Sequence, residues 1–372
     1  MTDQKHPGKL LAIELEKRGW SQTDLTFVLG CNPKSVNQIV NGKQGISPAM
    51  SKALGKALNL PDDYFAMLQS AHELAAAAAP EEGIASRATM LTTYPIREMV
   101  RRGWLRSAAI SDLETQLARF FETNDVNAVP YLAHAARKTS YEEQEIPPAQ
   151  LAWLFRVRQI AKAITVPRYS RQALESAILA MRHLLTAPEE ARKVPRILNE
   201  CGVRFVIVEA LPQSKIDGVC FWLDEKSPVI GLSTRFDRID NFWFVLRHEC
   251  EHVLQGHGRN TCDPMIDADL KIVADTVADV PEEERMANSA AAEFCISQEK
   301  MTSFILRKNP FFYEKDVLAF AKINGVHPGI PVGQIQHKMN RYDYLRRYQV
   351  KVREFVVPGA IVDGWDRPFT VE

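Results

Sequence analysis

The chain has 372 residues, enough for two or three domains, and its 46 basic side chains balance 46 acidic ones. A hydrophobic fraction of 46% with 25% charged residues is ordinary for a soluble globular protein. No apolar run approaches the ~20 residues that span a bilayer, and "MTDQKHPGKLL" lacks a secretory pattern. The six cysteines, at 31, 201, 220, 250, 262 and 295, contain no C-x-x-C pair, which suits reduced thiols in a cytoplasm. Neutral charge leaves nucleic acid open, but only through a local basic face.

Residues 8–78 read as five short helices joined by tight turns. "GKLLAIELEKRGW" stops at Gly19, and Ser21 caps "SQTDLTFVL" with Asp24 three positions on, a capping-box pattern. Asn32 caps "PKSVNQIVNGK" with Pro33 at the first helical position, where a missing N–H costs nothing. Ser47-Pro48 repeats the device, and Pro61 is expected to do the same before "DDYFAMLQSAHEL". The second and third helices form a helix-turn-helix.

The segment from "HPGKLLAIELEKRGW" to "ALNL" resembles the Xre-type repressor domain, in particular the HigA-type antitoxins with their "HPG" opening and "SQ…LG…G…ISP". The resemblance implies that the third helix enters the major groove, with Val36 and Ile39 in the core. Lys34, Ser35, Asn37, Gln38 and Asn41 would face DNA, Gln22 would meet a phosphate, and Lys43 follows the reading helix. Such a module covers one half-site, so a homodimer on a double-stranded operator is implied. Residues 1–78 hold eight Lys and Arg against seven Asp and Glu, a thin footprint that keeps a purely protein-binding head open.

"ELAAAAAPEEGIASRA" reads as a helix tail running into a linker, placed at 79–90. Residues 91–200 are helical in pattern, through "YPIREMVRRGW", "SDLETQLARFF", "AQLAWLFRVRQIAKAI", "SRQALESAILAMRHLL" and "PEEARKVPRILNECG". His134 and His183 are single histidines in helical context and are read as structural. Strand signals begin at 203: "VRFVIVEAL" is apolar on both faces, as a buried central strand is. "GVCFWLDEKSPVIGLS" reads as a hairpin around Glu225–Pro228, with an exposed edge that can take an extended peptide.

"FWFVLRHECEHVLQGHG" then carries H-E-x-x-H on an amphipathic helix. Residues four apart are offset by about 40°, so His248 and His252 project from one face toward one metal. Glu249, about 100° round, is placed as general base. The alternative is a buried helix with two core histidines, but Arg247, His248, Glu249, Glu251 and His252 are expensive to bury without a purpose. A catalytic zinc needs a third protein ligand. His257 lies about 140° round from His252 if the helix continues, on the wrong side. In "DVPEEERMANSAAAEF" Asp279 and Glu282 read as a D-x-x-E cap. Glu284 shares a face with Ala287, Asn288 and Ala291, small enough for close helix packing. It is the expected third ligand, with Glu283 as the fallback.

"FWFVLRHECEHVL" followed by "ERMANSAAAEF" resembles the ImmA/IrrE family of metallopeptidases, with its H-E-x-x-H and E-x-x-A-N-x-F-A. Position by position, the resemblance implies His248, His252 and Glu284 as Zn2+ ligands and Glu249 as catalytic base. Ala290 departs from the family's Phe. "FAKINGVHPGIPVGQIQHK" is similar to that family's closing helices, with His327 and His337 structural. The expected fold is mainly α with a small β-sheet. It comprises a five-helix lambda-repressor-like head (1–78), a helical middle (91–200), a zincin-like α+β domain (201–340) and a C-terminal extension (341–372). The resemblances imply a cytoplasmic DNA-binding regulator whose zinc endopeptidase cleaves a regulatory protein. The alternative is a HigA-type antitoxin or repressor that binds metal, or a partner such as a cognate toxin, without turnover.

Overall fold

The computed structural model describes residues 6–80, 83–106, 112–126, 147–259, 265–268 and 281–369. His134, Cys262 and Asp279 lie outside them. The chain divides into two compact units, Met1–Ala85 and Ser86–Glu372.

The first unit is a cluster of five helices: α1 (Pro7–Lys17), α2 (Gln22–Leu29), α3 (Pro33–Val40), α4 (Pro48–Leu58) and α5 (Tyr64–Ala76). Their starts follow from side-chain caps. Ser21 accepts from the Asp24 amide while the Asp24 carboxylate accepts from Ser21, completing the capping box. Asn32 and Ser47 cap α3 and α4, each with Pro at the first position. α5 departs from expectation, because Pro61 opens a turn and the helix begins only at Tyr64. The Ser51 hydroxyl explains this: it donates to the Asp62 carbonyl (2.8 Å) and accepts from the Ala66 amide (3.0 Å), tying the turn to α4. Leu11, Leu15, Leu25, Val36, Ile39, Leu54, Leu58 and Phe65 form the core.

α6 (Ile84–Thr93) begins two residues before the first residue of the larger unit, Ser86, so part of the expected 79–90 linker is helical. The larger unit continues through α7 (Ile96–Arg101), α8 (Leu113–Phe120), α9 (Pro148–Ala163), α10 (Arg171–Met181) and α11 (Val194–Glu200). Pro188–Lys193, read as α-helix from the sequence, tightens into a 3-10 helix. Then come β1 (Arg204–Val208), β2 (Ile216–Trp222), β3 (Pro228–Leu232), α12 (Ile239–Gln255) and β4 (Met265–Ala268). The chain closes with α13 (Glu282–Cys295), α14 (Gln298–Lys308), α15 (Glu314–Asn324), α16 (Gly329–Met339), α17 (Arg353–Val356) and β5 (Ile361–Asp363).

The sheet order is β4-β2-β3-β1-β5. β2 and β3 form the expected hairpin, and β1 runs parallel to both β3 and β5. Period-two alternation decides which layer each side chain joins. Phe205, Ile207, Cys220, Trp222, Ile230 and Leu232 pack with α10, α11, α12 and α13 on one face. Val206, Val208, Val219, Phe221 and Val229 meet α7, α8 and α9 on the other. A strand with helices on both faces must be apolar on both, as "RFVIV" is.

Three expectations change here. Residues 91–200 are not set apart from residues 201–340, because α7–α9 form the second helical layer over the sheet. The 341–372 extension supplies the edge strand β5 and the core residues Val352 and Val356. β2 is no free edge either, since β4 pairs along its outer side.

Asp363 fastens these layers. Its carboxylate accepts from Trp104 Nε1 (2.7 Å), Arg156 Nε (2.7 Å) and the Phe369 amide (2.9 Å) while only 2% exposed. Removing one partner of such a buried pair leaves the other charge unsatisfied, at about 3–5 kcal/mol. Asp363→Ala is therefore expected to lower the unfolding free energy of the larger unit by roughly that amount in urea titrations, with the head's transition unmoved.

Candidate functional site

α12 is fixed at both ends. At its start the Arg238 guanidinium pairs with Asp240 (2.7 and 3.0 Å) and reaches Gln336 of α16 (2.9 Å). Asp237 accepts from the Val352 and Arg353 amides (2.9 and 2.8 Å), which ties the start to the C-terminal segment. Asp240 is almost wholly buried; burial pushes its carboxyl up, against the opposing pull of Arg238. At the far end Gly256 takes the left-handed conformation (φ 74°) and stops the helix.

Between these ends His248, Glu249 and His252 are fully buried. α13 runs along α12, and its buried Ala287 and Ala291 permit close approach. That approach brings Glu284 to the histidines. Its Oε2 lies 3.3 Å from His248 Nε2 and its Oε1 lies 3.6 Å from His252 Nε2, while the two Nε2 atoms are 2.9 Å apart. Donors around a tetrahedral zinc with 2.0–2.1 Å bonds stand roughly 3.3 Å from one another. Two imidazoles and a carboxylate at these separations therefore fit that ion in both chemistry and spacing.

Among the described residues these three are the cluster of metal-ligand type, and Glu283 is not in it. α13 starts at Glu282 after Pro281, with no side-chain cap. Asp279 of the expected Asp279–Glu282 cap lies outside the described residues, and Glu282 is the first residue of the helix. Burial alone would raise the Glu284 carboxyl, but the facing His248 and His252 rings hold it well below the usual carboxylate range.

Glu249 lies against the sheet. β2 turns Gly218, Cys220 and Trp222 toward α12, and a Cβ on Gly218 would stand 2.0 Å from Glu249 Oε1. The missing side chain makes the recess that holds the carboxylate. The sequence reading passed over Gly218, although a glycine inside a strand signals close approach. The next acid, Glu251, faces away from the cluster in an ion pair with Arg247 (2.7 Å). Burial pushes Glu251 up, but Gln255 and Arg247 outweigh it and leave the carboxyl lowered. Cys250 sits in the core, its thiol pushed up to about 12 by burial.

The structure also differs over His257. Its ring comes to the cluster from outside, with Nδ1 2.9 Å from His252 Nδ1. His327 is held elsewhere: its Nδ1 accepts from the Gly329 amide at a helix start. Ala290 lines a groove of ≈ 530 Å³ with Glu251, Arg285, Met286 and Glu293.

In the head, Val36 and Ile39 are buried, whereas Lys34, Asn37, Asn41 and Lys43 are exposed and Gln22, Ser35 and Gln38 half-buried. Asn37 Nδ2 donates to Gln22 Oε1 (3.2 Å), and Asn41 Nδ2 donates to Asn37 Oδ1 (3.1 Å). A linked amide row thus joins the start of α2 to α3.

Residues 11–65 match the helix-turn-helix family HTH_3, so the N-terminal unit carries a helix-turn-helix domain. The chain is similar to virulence-associated protein A' of Dichelobacter nodosus, 32% identical over 75 residues, or 20% of this chain. It spans 65% of that relative's length. No solved structure matches the chain. Among the described residues no helix is long and apolar enough to cross a membrane.

Metal content separates the roles of the clustered residues. Purified protein is expected to hold one zinc per chain, and His252→Ala or Glu284→Ala to lose most of it, as read by elemental analysis. Glu249→Gln is expected to keep the metal. Full zinc in Glu284→Ala would remove Glu284 from the ligand set.

Proposed function

We propose that the protein is a DNA-binding transcriptional regulator whose larger unit is a zinc-dependent endopeptidase acting on a regulatory protein. One observation carries the peptidase reading: His248, His252 and Glu284 converge as donors, and the helix that supplies the two histidines also buries Glu249 in a recess against Gly218. A metal-ligand set with no further purpose has no need of Glu249 in a recess cut for it. His248, His252 and Glu284 would hold a zinc, which would supply Lewis acidity toward a water and a peptide carbonyl. Glu249 would take the proton of the attacking water and pass it to the leaving amine, as general base and then acid. The burial of all three α12 side chains keeps bulk water from competing for that proton.

The substrate reaches such a site as an extended, flexible segment, because pairing along a sheet edge holds backbone and not a folded domain. Among the described residues β4 pairs on one side only, which makes β4 the platform in place of the β2–β3 hairpin. The protein's own Ala-rich linker has the same chemistry, but cutting there would separate the head from the site. A separate regulator is the better substrate.

The helix-turn-helix head supports the DNA-binding reading. Asn37 and Gln38 meet base edges, Gln22, Lys34 and Lys43 meet phosphates, and two copies read a palindrome. In the other reading the larger unit holds metal or a partner, such as a toxin, without turnover. Ala290 in place of a bulky residue beside the Glu251 groove favours it.

Co-expression with repressors encoded nearby is expected to yield cleavage that Glu249→Gln abolishes while operator affinity stays within about twofold, because Glu249 lies far in sequence from the head. Gly218→Ala is expected to abolish it too, with metal retained, since the added methyl occupies the carboxylate's recess. Lys34→Ala is expected to weaken all duplexes about equally, and Asn37→Ala to reduce preference for the operator. Identical fragments from wild type and Glu249→Gln would put the binding module in the enzyme's place.

A further inference from the structure

The ring contact between His257 and His252 is absent from the H-E-x-x-H pattern and from the ligand set above. It begins with how α12 ends. The His257 amide donates to the His252 carbonyl (2.9 Å), closing the last turn around left-handed Gly256. The His257 carbonyl in turn accepts from Trp222 Nε1 (3.0 Å) at the end of β2. Trp222 is 1% exposed, and the Arg259 guanidinium stacks 4.5 Å over its ring. The segment after the helix is thus pinned to the sheet. With its backbone held there, the His257 ring is turned back on the helix, its centroid 5.2 Å from that of His252.

A neutral imidazole carries one proton, on either Nδ1 or Nε2. His252 serves the cluster through Nε2, so its proton must reside on Nδ1 and needs an acceptor there. His257 Nδ1, 2.9 Å away, is that acceptor when His257 carries its own proton on Nε2. The reverse arrangement would place the His252 proton on Nε2, pointing at His248 Nε2 and Glu284. Partners of this kind fix ring orientation and increase donor basicity, and their loss typically costs about 10- to 100-fold in metal affinity.

We infer that His257 is a positioning residue that sets the tautomer and tilt of His252, so that the His252 Nε2 lone pair faces the metal position. The inference rests on the zinc reading of the cluster. The Gly256 turn and the Trp222 bond hold His257 in that place.

The test compares wild type, His257→Ala and His257→Asn, whose side-chain carbonyl can accept the same proton. Zinc affinity is measured by competition with a chromophoric chelator. The His252 tautomer is read in metal-free protein by nitrogen-15 NMR of the imidazole. His257→Ala is expected to weaken zinc about 10- to 100-fold and to shift His252 away from the Nδ1–H form. His257→Asn is expected to recover most of both, with the melting temperature of all three metal-free proteins similar. An unchanged tautomer and zinc affinity in His257→Ala would overturn the inference. So would equal losses in both variants that merely track a lowered melting temperature. Should wild type bind no zinc, the reading of the cluster fails, yet the metal-free tautomer still decides the role of His257.

Discussion

Glu249 can lie against the sheet only because β2 carries no side chain at Gly218. That single close approach fixes the distance between α12 and the sheet and brings the rest of the cluster into register. Three ionisable side chains of one helix, His248, Glu249 and His252, are fully buried, which costs free energy unless each is matched by a partner. Glu284 supplies the match for the two histidines, and it reaches them because Ala287 and Ala291 let α13 close on α12. The site is thus a consequence of packing with small residues on both sides of one helix.

The other sheet face explains why the unit is so large. A sheet apolar on both faces has to be covered twice. α10–α13 cover one side and α7–α9 the other, so residues far from the cluster in sequence set the platform beneath it. Asp363 joins β5 to Trp104 and Arg156 of the second layer, while Asp237 and Arg238 anchor the start of α12 to the C-terminal third of the chain. Movement in either layer would pass to the helix that carries His248 and His252.

Much of this was legible in the residues. The capping box at Ser21 and Asp24, the double-sided apolar pattern of 204–208 and the 248/252 spacing each rest on local geometry, and local geometry is what a sequence encodes most directly. Glu284 was reachable through the alanines that share its face. What escaped was long-range. β4 and β5 are four and three residues long, too short for a period to register, and they are strands because β2 and β1 offer partners. The middle helices carry no mark of which sheet face they cover. His257 was assigned to the wrong side by extending the helical phase past Gly256, where the left-handed turn resets it. Gly218 carried a signal, but the identity of its neighbour depends on how α12 docks.

A helix-turn-helix head and a buried His-His-Glu cluster in one chain frame the account of a regulator coupled to zinc chemistry. Four thiols, Cys201, Cys220, Cys250 and Cys295, lie in the core that packs on α12, so sulfur is the ligand type to set against the His-His-Glu donors, although none of the four belongs to that cluster. X-ray absorption at the zinc edge of the purified protein separates the two. The account predicts only nitrogen and oxygen neighbours at about 2.0–2.1 Å, with the outer-shell scattering of two imidazoles. A sulfur shell near ~2.3 Å, or a single imidazole, would contradict it.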